Sequence, residues 1–355
     1  MKTLKLLVIG GGDRATCYLK YLEKYPEKFE VVGIAEPIKT KRDYFMKKYS
    51  IPKEACFESF EDALALPKFA DIAMICTQDK LHYAPAMMAI KNKYDILLEK
   101  PIATTPKDCF DIAKEARKQG VKTIVCHVLR YTPFYKALKA FIDSGKLGQI
   151  TNVEHTEGVG LFNMTHSYIR GEWRKEEDST PMILAKCCHD TDIIQWLVGK
   201  PCTKVTSFGT LAYFHEGNAP ENAPMRCLDN CPHKDECFFY APKFYRIKNE
   251  EIAHFRGIVA DKPNPTDEEV DAALKGSQFE RCVYHCDNNV VDRQIVSMQF
   301  GDDVCATLTM SPFNKYGRHT RIMGTKGEIV ADMEKQSIEF YSFDTLTSQE
   351  IFEPD

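Results

Sequence analysis

Through the first third of the chain, short apolar runs alternate with segments whose apolar positions recur every three or four residues. "LKLLVIG" (4–10) reads as a buried strand, and "ATCYLKYLEKY" after it places Ala15, Leu19 and Leu22 at helical spacing. "FEVVGIAE", "DIAMICT", "YDILLEK" and "VKTIVCHVL" read as further strands. "TKRDYFMKKY", "YAPAMMAIKNK" and "TPKDCFDIAKEARKQG" read as helices. The last of these has Thr105 as cap, Pro106 in the first turn and Gly120 as stop. Helices between strands call for right-handed crossovers and a parallel sheet, and strands apolar almost throughout imply helices on both faces. After about Arg130 the texture changes. A helix, "TPFYKALKAFIDSG", leads into the alternating "GQITNVEHTEGVG". One continuous helix is expected over "PMILAKCCHDTDIIQWLVG". Strands such as "CTKVTSFGTLAYF", "DRQIVSMQF", "DVCATLTMS", "RHTRIMG" and "GEIVADM" follow, joined by Gly, Asp and Asn turns. The expected fold is therefore α/β: an N-terminal Rossmann parallel sheet over residues 1–130, then a C-terminal α+β domain over 131–355 with a large, mostly antiparallel open sheet. Residues 215–282 read as an irregular polar insertion within that second domain.

Length and charge narrow the class. A chain of 355 residues suits two domains, and its formal net charge of -4 offers no basic surplus for nucleic acid. The opening "MKTLKLLVIGGG" is interrupted by Lys5 and followed at once by Gly10–Gly12, so it reads as a first strand and not as a signal peptide. No apolar run approaches the roughly 18 residues of a membrane span, and a cytoplasmic protein without membrane partners is expected. Most cysteines sit singly in apolar runs (Cys76, Cys109, Cys126, Cys305) and behave there as small hydrophobes. "RCLDNCPHKDEC" differs. It brings Cys227, Cys231 and Cys237 close in sequence, with His233 among them and Cys282 and Cys286 downstream. Thiolates in a loop-rich insertion suggest a structural zinc, with reduced cysteines and no metal as the alternative.

Candidate chemistry begins at the first turn. Gly10-x-Gly12-x-x-Ala15 lies between the first strand and the first helix. There Gly10 can make the tight turn, Gly12 lets backbone approach a pyrophosphate and Ala15 permits close helix packing. Glu36 ends the second strand at the distance where an acid accepts from the ribose hydroxyls of NAD and repels a 2′-phosphate. Lys39, Lys41 and Arg42 follow closely and keep NADP open. Thr77 ends the third strand where ligands bind in such sheets, and His82 lies on the helix after it. "NMTHSYIRGEWR" gathers His166, Tyr168, Arg170, Trp173 and Arg174, forked donors and aromatic faces that suit sugar rings and carboxylates.

"GGGDRA" (10–15), "EKP" (99–101), "HDTD" (189–192) and "RIMGTKGEI" (321–329) occur in this order, and across nearly its whole length the chain resembles the Gfo/Idh/MocA oxidoreductases. The resemblance implies nicotinamide-dependent oxidation or reduction of a sugar, polyol or sugar derivative, and a homo-oligomer, dimer or tetramer, formed through the C-terminal sheet. It implies cofactor contacts from Gly10, Gly12, Asp13, Arg14, Ala15, Glu36, Thr77, His82, Glu99, Lys100 and Arg130. Lys100 matches the active-site lysine, Pro101 the proline after it, His189 the histidine of the catalytic helix and Asp192 the H-x-x-D aspartate, a substrate contact together with His166 and Arg170. Many relatives carry Asp four residues before that histidine. Here the position is Ala185, and the neighbouring Lys186 is expected to bind substrate instead, facing His189 from the same helix. Histidine suits proton transfer near neutral pH and a fixed ammonium suits polarising an oxygen, so His189 is the expected acid/base and Lys100 the polarising group, with an exchange of roles left open. Glu99 supports the Lys100 corner in this reading. A redox-neutral conversion through a keto-sugar, and a catalytically silent Rossmann sensor, are the alternatives. Relatives commonly continue into a glycine-rich segment and helix, so the resemblance leaves room for a further segment after Asp355.

Overall fold

The computed structural model describes residues 2–354, and the chain divides into two compact units between His127 and Val128. In the first unit, β1 (Leu4–Ile9), α1 (Asp13–Lys24), β2 (Phe29–Ala35), α2 (Lys39–Lys48), β3 (Cys56–Phe57), α3 (Phe60–Ala65), β4 (Ile72–Ile75), α4 (Tyr83–Lys91), β5 (Asp95–Leu98), α5 (Pro106–Gln119) and β6 (Thr123–Val125) follow one another. The strands form one parallel sheet in the order β3-β2-β1-β4-β5-β6. Its two buried faces are visible within β1. Leu7 and Ile9 join a core with Ala73, Ile75 and Leu98, while Leu6 and Val8 join another with Ala15, Leu19 and Phe45. Alternate residues of a strand point to opposite faces, so a strand apolar at every position buries both. The α5 signals act as read: Thr105 Oγ1 accepts from the Asp108 N–H at 3.1 Å, and Gly120 closes the helix at φ 69°. β3 and α3 were not anticipated, because two strand residues leave no alternation to read.

The second unit contains α6 (Pro133–Asp143), β7 (Ile150–Gly158), α7 (Leu161–Asn163) running into a π-helical turn over Met164–Arg170, α8 (Met182–Ala185), α9 (Cys188–Val198) and β8 (Cys202–Thr210). There follow α10 (Ala241–Tyr245), α11 (Glu250–Ala260), α12 (Asp267–Leu274), β9 (Arg293–Phe300), β10 (Val304–Ser311), β11 (Gly317–Gly324), β12 (Gly327–Asp332), β13 (Ser337–Ser342) and β14 (Thr347–Glu350). The sheet runs β14-β13-β12-β11-β7-β10-β9-β8, antiparallel except where β10 lies parallel to β7. One face carries the core: along β10, Val304, Ala306, Leu308 and Met310 are buried, while Cys305 and Thr307 between them are exposed. β8 departs from this alternation, since all nine of its residues are exposed, Phe208 to 78%.

Two expectations are corrected. The helix expected over 181–199 is broken: the backbone leaves helical geometry at Cys187 (φ -87°, ψ 5°), so Lys186 caps the end of α8 and His189 falls in the first turn of α9. The insertion is not irregular. Its three helices close on a core of Phe244, Tyr245, Ile252, Val270 and Leu274, with Cys227 in it. Among the described residues no helix is long and apolar enough to cross a membrane.

Candidate active-site residues in the two units

In the first unit the glycine loop turns from β1 into α1. Gly10 sits at φ 90°, and a Cβ there would lie 2.8 Å from the Cys76 carbonyl, so no other residue fits. A Cβ on Gly12 would meet nothing within 4 Å, which leaves the loop clear on the side where a pyrophosphate would approach the first turn of α1. Glu36 stands at the end of β2, 6% exposed. Its Oε2 accepts from the Gly11 N–H at 2.7 Å and its Oε1 from the Ile38 N–H at 2.9 Å. These residues fit a dinucleotide: a bare backbone turn, a helix start and a carboxylate fixed beside them. The cations after Glu36 are largely committed. Arg42 donates to the Glu36 carbonyl at 2.5 Å and to Glu58 at 2.8 Å, and Lys39 pairs with Asp43 at 2.5 Å.

Lys100 follows β5 at the carboxyl edge of the sheet, half-buried, and its bond to Pro101 is cis. Buried groups hold this corner from two sides. Glu99, 4% exposed, accepts the Lys100 N–H at 2.6 Å and a hydrogen bond from the Tyr18 hydroxyl on α1, with Arg14 Nε at 3.9 Å. Burial, then the Glu99 carboxylate, pushes the Tyr18 phenol well up from its ordinary range. On the other side, the ring nitrogens of His82 face the carbonyl oxygens of Pro101 (2.6 Å) and Thr77 (3.0 Å). His82 is fully buried, so its side chain ties the two loops together and does not face a cofactor, a correction to its expected role.

In the second unit His189 lies in the first turn of α9, half-buried. Arg130 and Asp192, expected on cofactor and substrate, are joined to each other: Nε donates to Oδ2 and Nη2 to Oδ1, both at 2.6 Å, with the Trp196 ring 5.5 Å from the guanidinium. This bidentate pair anchors α9 to the turn at Val128–Tyr131. Lys186 turns to β7, where its Nζ donates to Glu157 Oε1 at 3.2 Å. Arg318 on β11 bridges Glu157 Oε2 (2.6 Å) and Asp190 Oδ1 (2.7 Å). Asp190 also meets His155 Nε2 at 3.0 Å, and the other ring nitrogen of His155 meets Thr320 Oγ1 at 2.8 Å. Burial pulls the Asp190 carboxyl up, but Arg318 and His155 outweigh it and hold the group well below the usual carboxylate range. Burial raises the Glu157 carboxyl, with Lys186 opposing.

Sequence reading missed Glu157, His155, Arg318, Asp190 and Tyr18. A signal existed for the strand residues. In "NVEHTEG" the buried phase of β7 is Val153, His155, Glu157, so a charge falls where the alternation calls for an apolar residue. Arg318 shares its phase on β11 with Thr320 and Ile322.

His166 and Arg170 are corrected as substrate groups. His166 is 4% exposed, stacked between the rings of Phe255 (4.3 Å) and Phe279 (4.6 Å), with Nδ1 3.0 Å from the Tyr245 hydroxyl. Burial, then Arg170 and His254, lowers its imidazole to about 3. Arg170 is fully buried and donates to the carbonyls of Arg281 (2.8 Å) and Phe239 (2.6 Å). Both hold the insertion onto the π-helical turn. The zinc expectation is also corrected: among the described residues no group of three or more His, Cys, Asp or Glu side chains is arranged to hold a metal ion. Cys227, Cys231, Cys237 and Cys282 line one small apolar cavity. Burial raises the Cys227 and Cys282 thiols, and Cys286 reaches about 11.

Comparison with known proteins finds matches for both units. Residues 4–127 match the model of an oxidoreductase family, NAD-binding Rossmann fold, and residues 139–349 match the C-terminal alpha/beta domain of the same family, GFO_IDH_MocA. Over 90% of its length the chain is 21% identical to the putative oxidoreductase YteT of Bacillus subtilis, covering 77% of that protein. It is 30% identical to the 2,7-anhydro-N-acetylneuraminate hydratase of Escherichia coli over 42% of its length and 39% of that protein. Among solved structures, a levoglucosan dehydrogenase in complex with NADH and L-sorbose superposes with a TM-score of 0.69 at 15% identity, over 99% of this chain and 80% of that one.

Proposed function

The chain belongs to the Gfo/Idh/MocA family of NAD(P)-dependent oxidoreductases, and from that premise we propose that it moves hydride between NAD and a hydroxyl or keto carbon of a sugar, polyol or sugar derivative, with Lys100 and His189 carrying the proton and charge chemistry. When bound, the nicotinamide supplies or accepts the hydride. The chain's own residues do the rest. Gly10, Gly12 and the first turn of α1 seat the pyrophosphate, with Asp13, Arg14 and Ala15 forming that turn, and Glu36 accepts from the ribose hydroxyls. The Lys100 ammonium donates to the reacting oxygen and stabilises charge developing there. His189 takes the hydroxyl proton in oxidation and returns it in reduction. The observation that carries this reading is the fixing of the Lys100 corner. Glu99 accepts its N–H, and His82 ties the Pro101 carbonyl to the Thr77 carbonyl of the neighbouring loop. Preorganised donors of this kind lower barriers without reorganising during the reaction.

A panel of sugars, inositols and sugar acids assayed with NAD and with NADP tests the reading. Reduced cofactor is followed alongside product analysis. Lys100→Ala and His189→Ala are each expected to lose about 100-fold or more of turnover; near-wild-type turnover in both sinks the mechanism. NAD is expected to be preferred over NADP, and Glu36→Gln to narrow that preference. A second reading is favoured by the hydratase relative, whose named activity transfers no net hydride: transient oxidation, elimination or addition, then return of the hydride. Product formed without net NADH distinguishes it.

A further inference from the structure

The four charges beneath α9 form a chain: Lys186, Glu157, Arg318, Asp190. Two cations and two carboxylates nearly balance, but their exposure does not. The carboxylates are sealed, Glu157 at 1% and Asp190 at 0%, while the Lys186 and Arg318 side chains keep 14% and 11% of their surface. The network therefore turns its positive ends outward. Glu157 is gripped from both sides, so it fixes Lys186 and cannot follow it out. It engages one of the three ammonium N–H groups. The Tyr316 ring, 6.0 Å from Nζ, offers only its face. Ala185 and Cys187 beside Lys186 are 1% and 0% exposed and present no charge. The local polar group is thus a donor and a cation, three residues before His189. It suits an oxygen that carries lone pairs and negative charge, and it has no acceptor for a substrate hydroxyl.

Resting on the oxidoreductase reading above, we infer that Lys186, fixed by Glu157 with Arg318 behind it, is a specificity-determining residue that holds a carboxylate of the substrate, so that the substrate is a sugar or polyol acid and not a neutral sugar. A carboxylate fits better than a phosphate. Arg318 is engaged by Glu157 and Asp190, which leaves the N–H groups of the Lys186 ammonium that do not face Glu157 to meet a single carboxylate.

The test uses the full chain with NAD and six probes: D-glucuronate, D-galacturonate and D-gluconate against D-glucose, D-galactose and D-glucose 6-phosphate. The acids are expected to exceed the neutral sugars in kcat/KM by about 10-fold or more, the effect of one charge-assisted hydrogen bond. Lys186→Met should lower the acid-to-neutral ratio by about 10- to 100-fold, Lys186→Arg should restore part of it, and Glu157→Gln should lower it less than Lys186→Met. Where no probe turns over, calorimetric titration of the NADH-loaded protein with the same probes reads the same ratio. A wild-type preference for neutral sugars or for the phosphate, a ratio unmoved in a folded Lys186→Met variant, or binding of no acid overturns the inference. Oxidation of neutral sugars alone keeps the oxidoreductase reading and sinks this one. Lys186-dependent binding of acids without any hydride transfer or conversion does the reverse.

Discussion

Arg318 is the side chain on which the buried charges of the second unit turn. It forms ion pairs with Glu157 and Asp190 at once, and both carboxylates are buried. Arg318→Met leaves Asp190 with His155 alone and Glu157 with Lys186 alone, and removing one partner of a buried pair costs about 3–5 kcal/mol; urea denaturation should show a loss of that order. Asp190 gives this a pH dependence. Its carboxyl is depressed in the fold, so its contribution is present above the ordinary Asp range and is lost as pH falls toward the folded value. His166 adds a second acid-sensitive term. Its imidazole drops from 6.5 to about 3 on folding, so the unfolded chain binds more protons between these values and stability rises with pH across them. Between pH 7 and pH 5 the expected loss is about 2 kcal/mol, and His166→Phe should flatten that part of the stability–pH curve. Lys100 and His189 could be singled out as candidates from the sequence because each lies in a short contiguous motif. The network could not, since Arg318 and Asp190 stand 128 residues apart: the β11–β7 register sets Arg318 opposite Glu157, and the packing of α9 brings Asp190 to both.

Among the elements, α9 shows how far pattern reading reaches. Its apolar spacing and its Gly199 stop were readable, and Gly199 does cap it at φ 69°. The break at Cys187 was not, because "PMILAKCC" is apolar enough to continue a helix and contains no Gly or inner Pro. That break turns Lys186 away from the face of α9 and onto β7. In the insertion, α12 begins with a capping box, Thr266 and Glu269 bonding each other's backbone N–H. Thr266→Ala is expected to cost about 1 kcal/mol, read as increased proteolytic nicking within 250–275. β8 carries a different expectation. Phe208 on the edge strand and its register partner Ile295 on β9 are 78% and 51% exposed, and contiguous exposed apolar surface on a sheet suits a second copy of the chain. Phe208→Glu should lower the mass seen by light scattering and leave the monomer's stability within about 0.5 kcal/mol.

For the molecule as a whole, the two-domain architecture was legible from the change of period near Arg130. A parallel sheet and a mostly antiparallel one write different alternations into their strands, and those survive in a single sequence. The insertion was misread because its helices are short and its core gathers residues from 227 to 274. Since apolar packing and Arg170 close it, chelator treatment should leave Tm unchanged; a fall would restore the metal reading. Saturating NADH should raise the stability of the unit that holds it, by about 2.7 kcal/mol at 100 times Kd. The Lys186–Glu157 pair also bears on descent. A lineage that changed the lysine alone would weaken its grip on the substrate at once, and one that changed the glutamate alone would leave a lysine without its anchor. Passage to a different diet of sugars therefore runs through paired replacement, and the two positions should be inherited as a single trait.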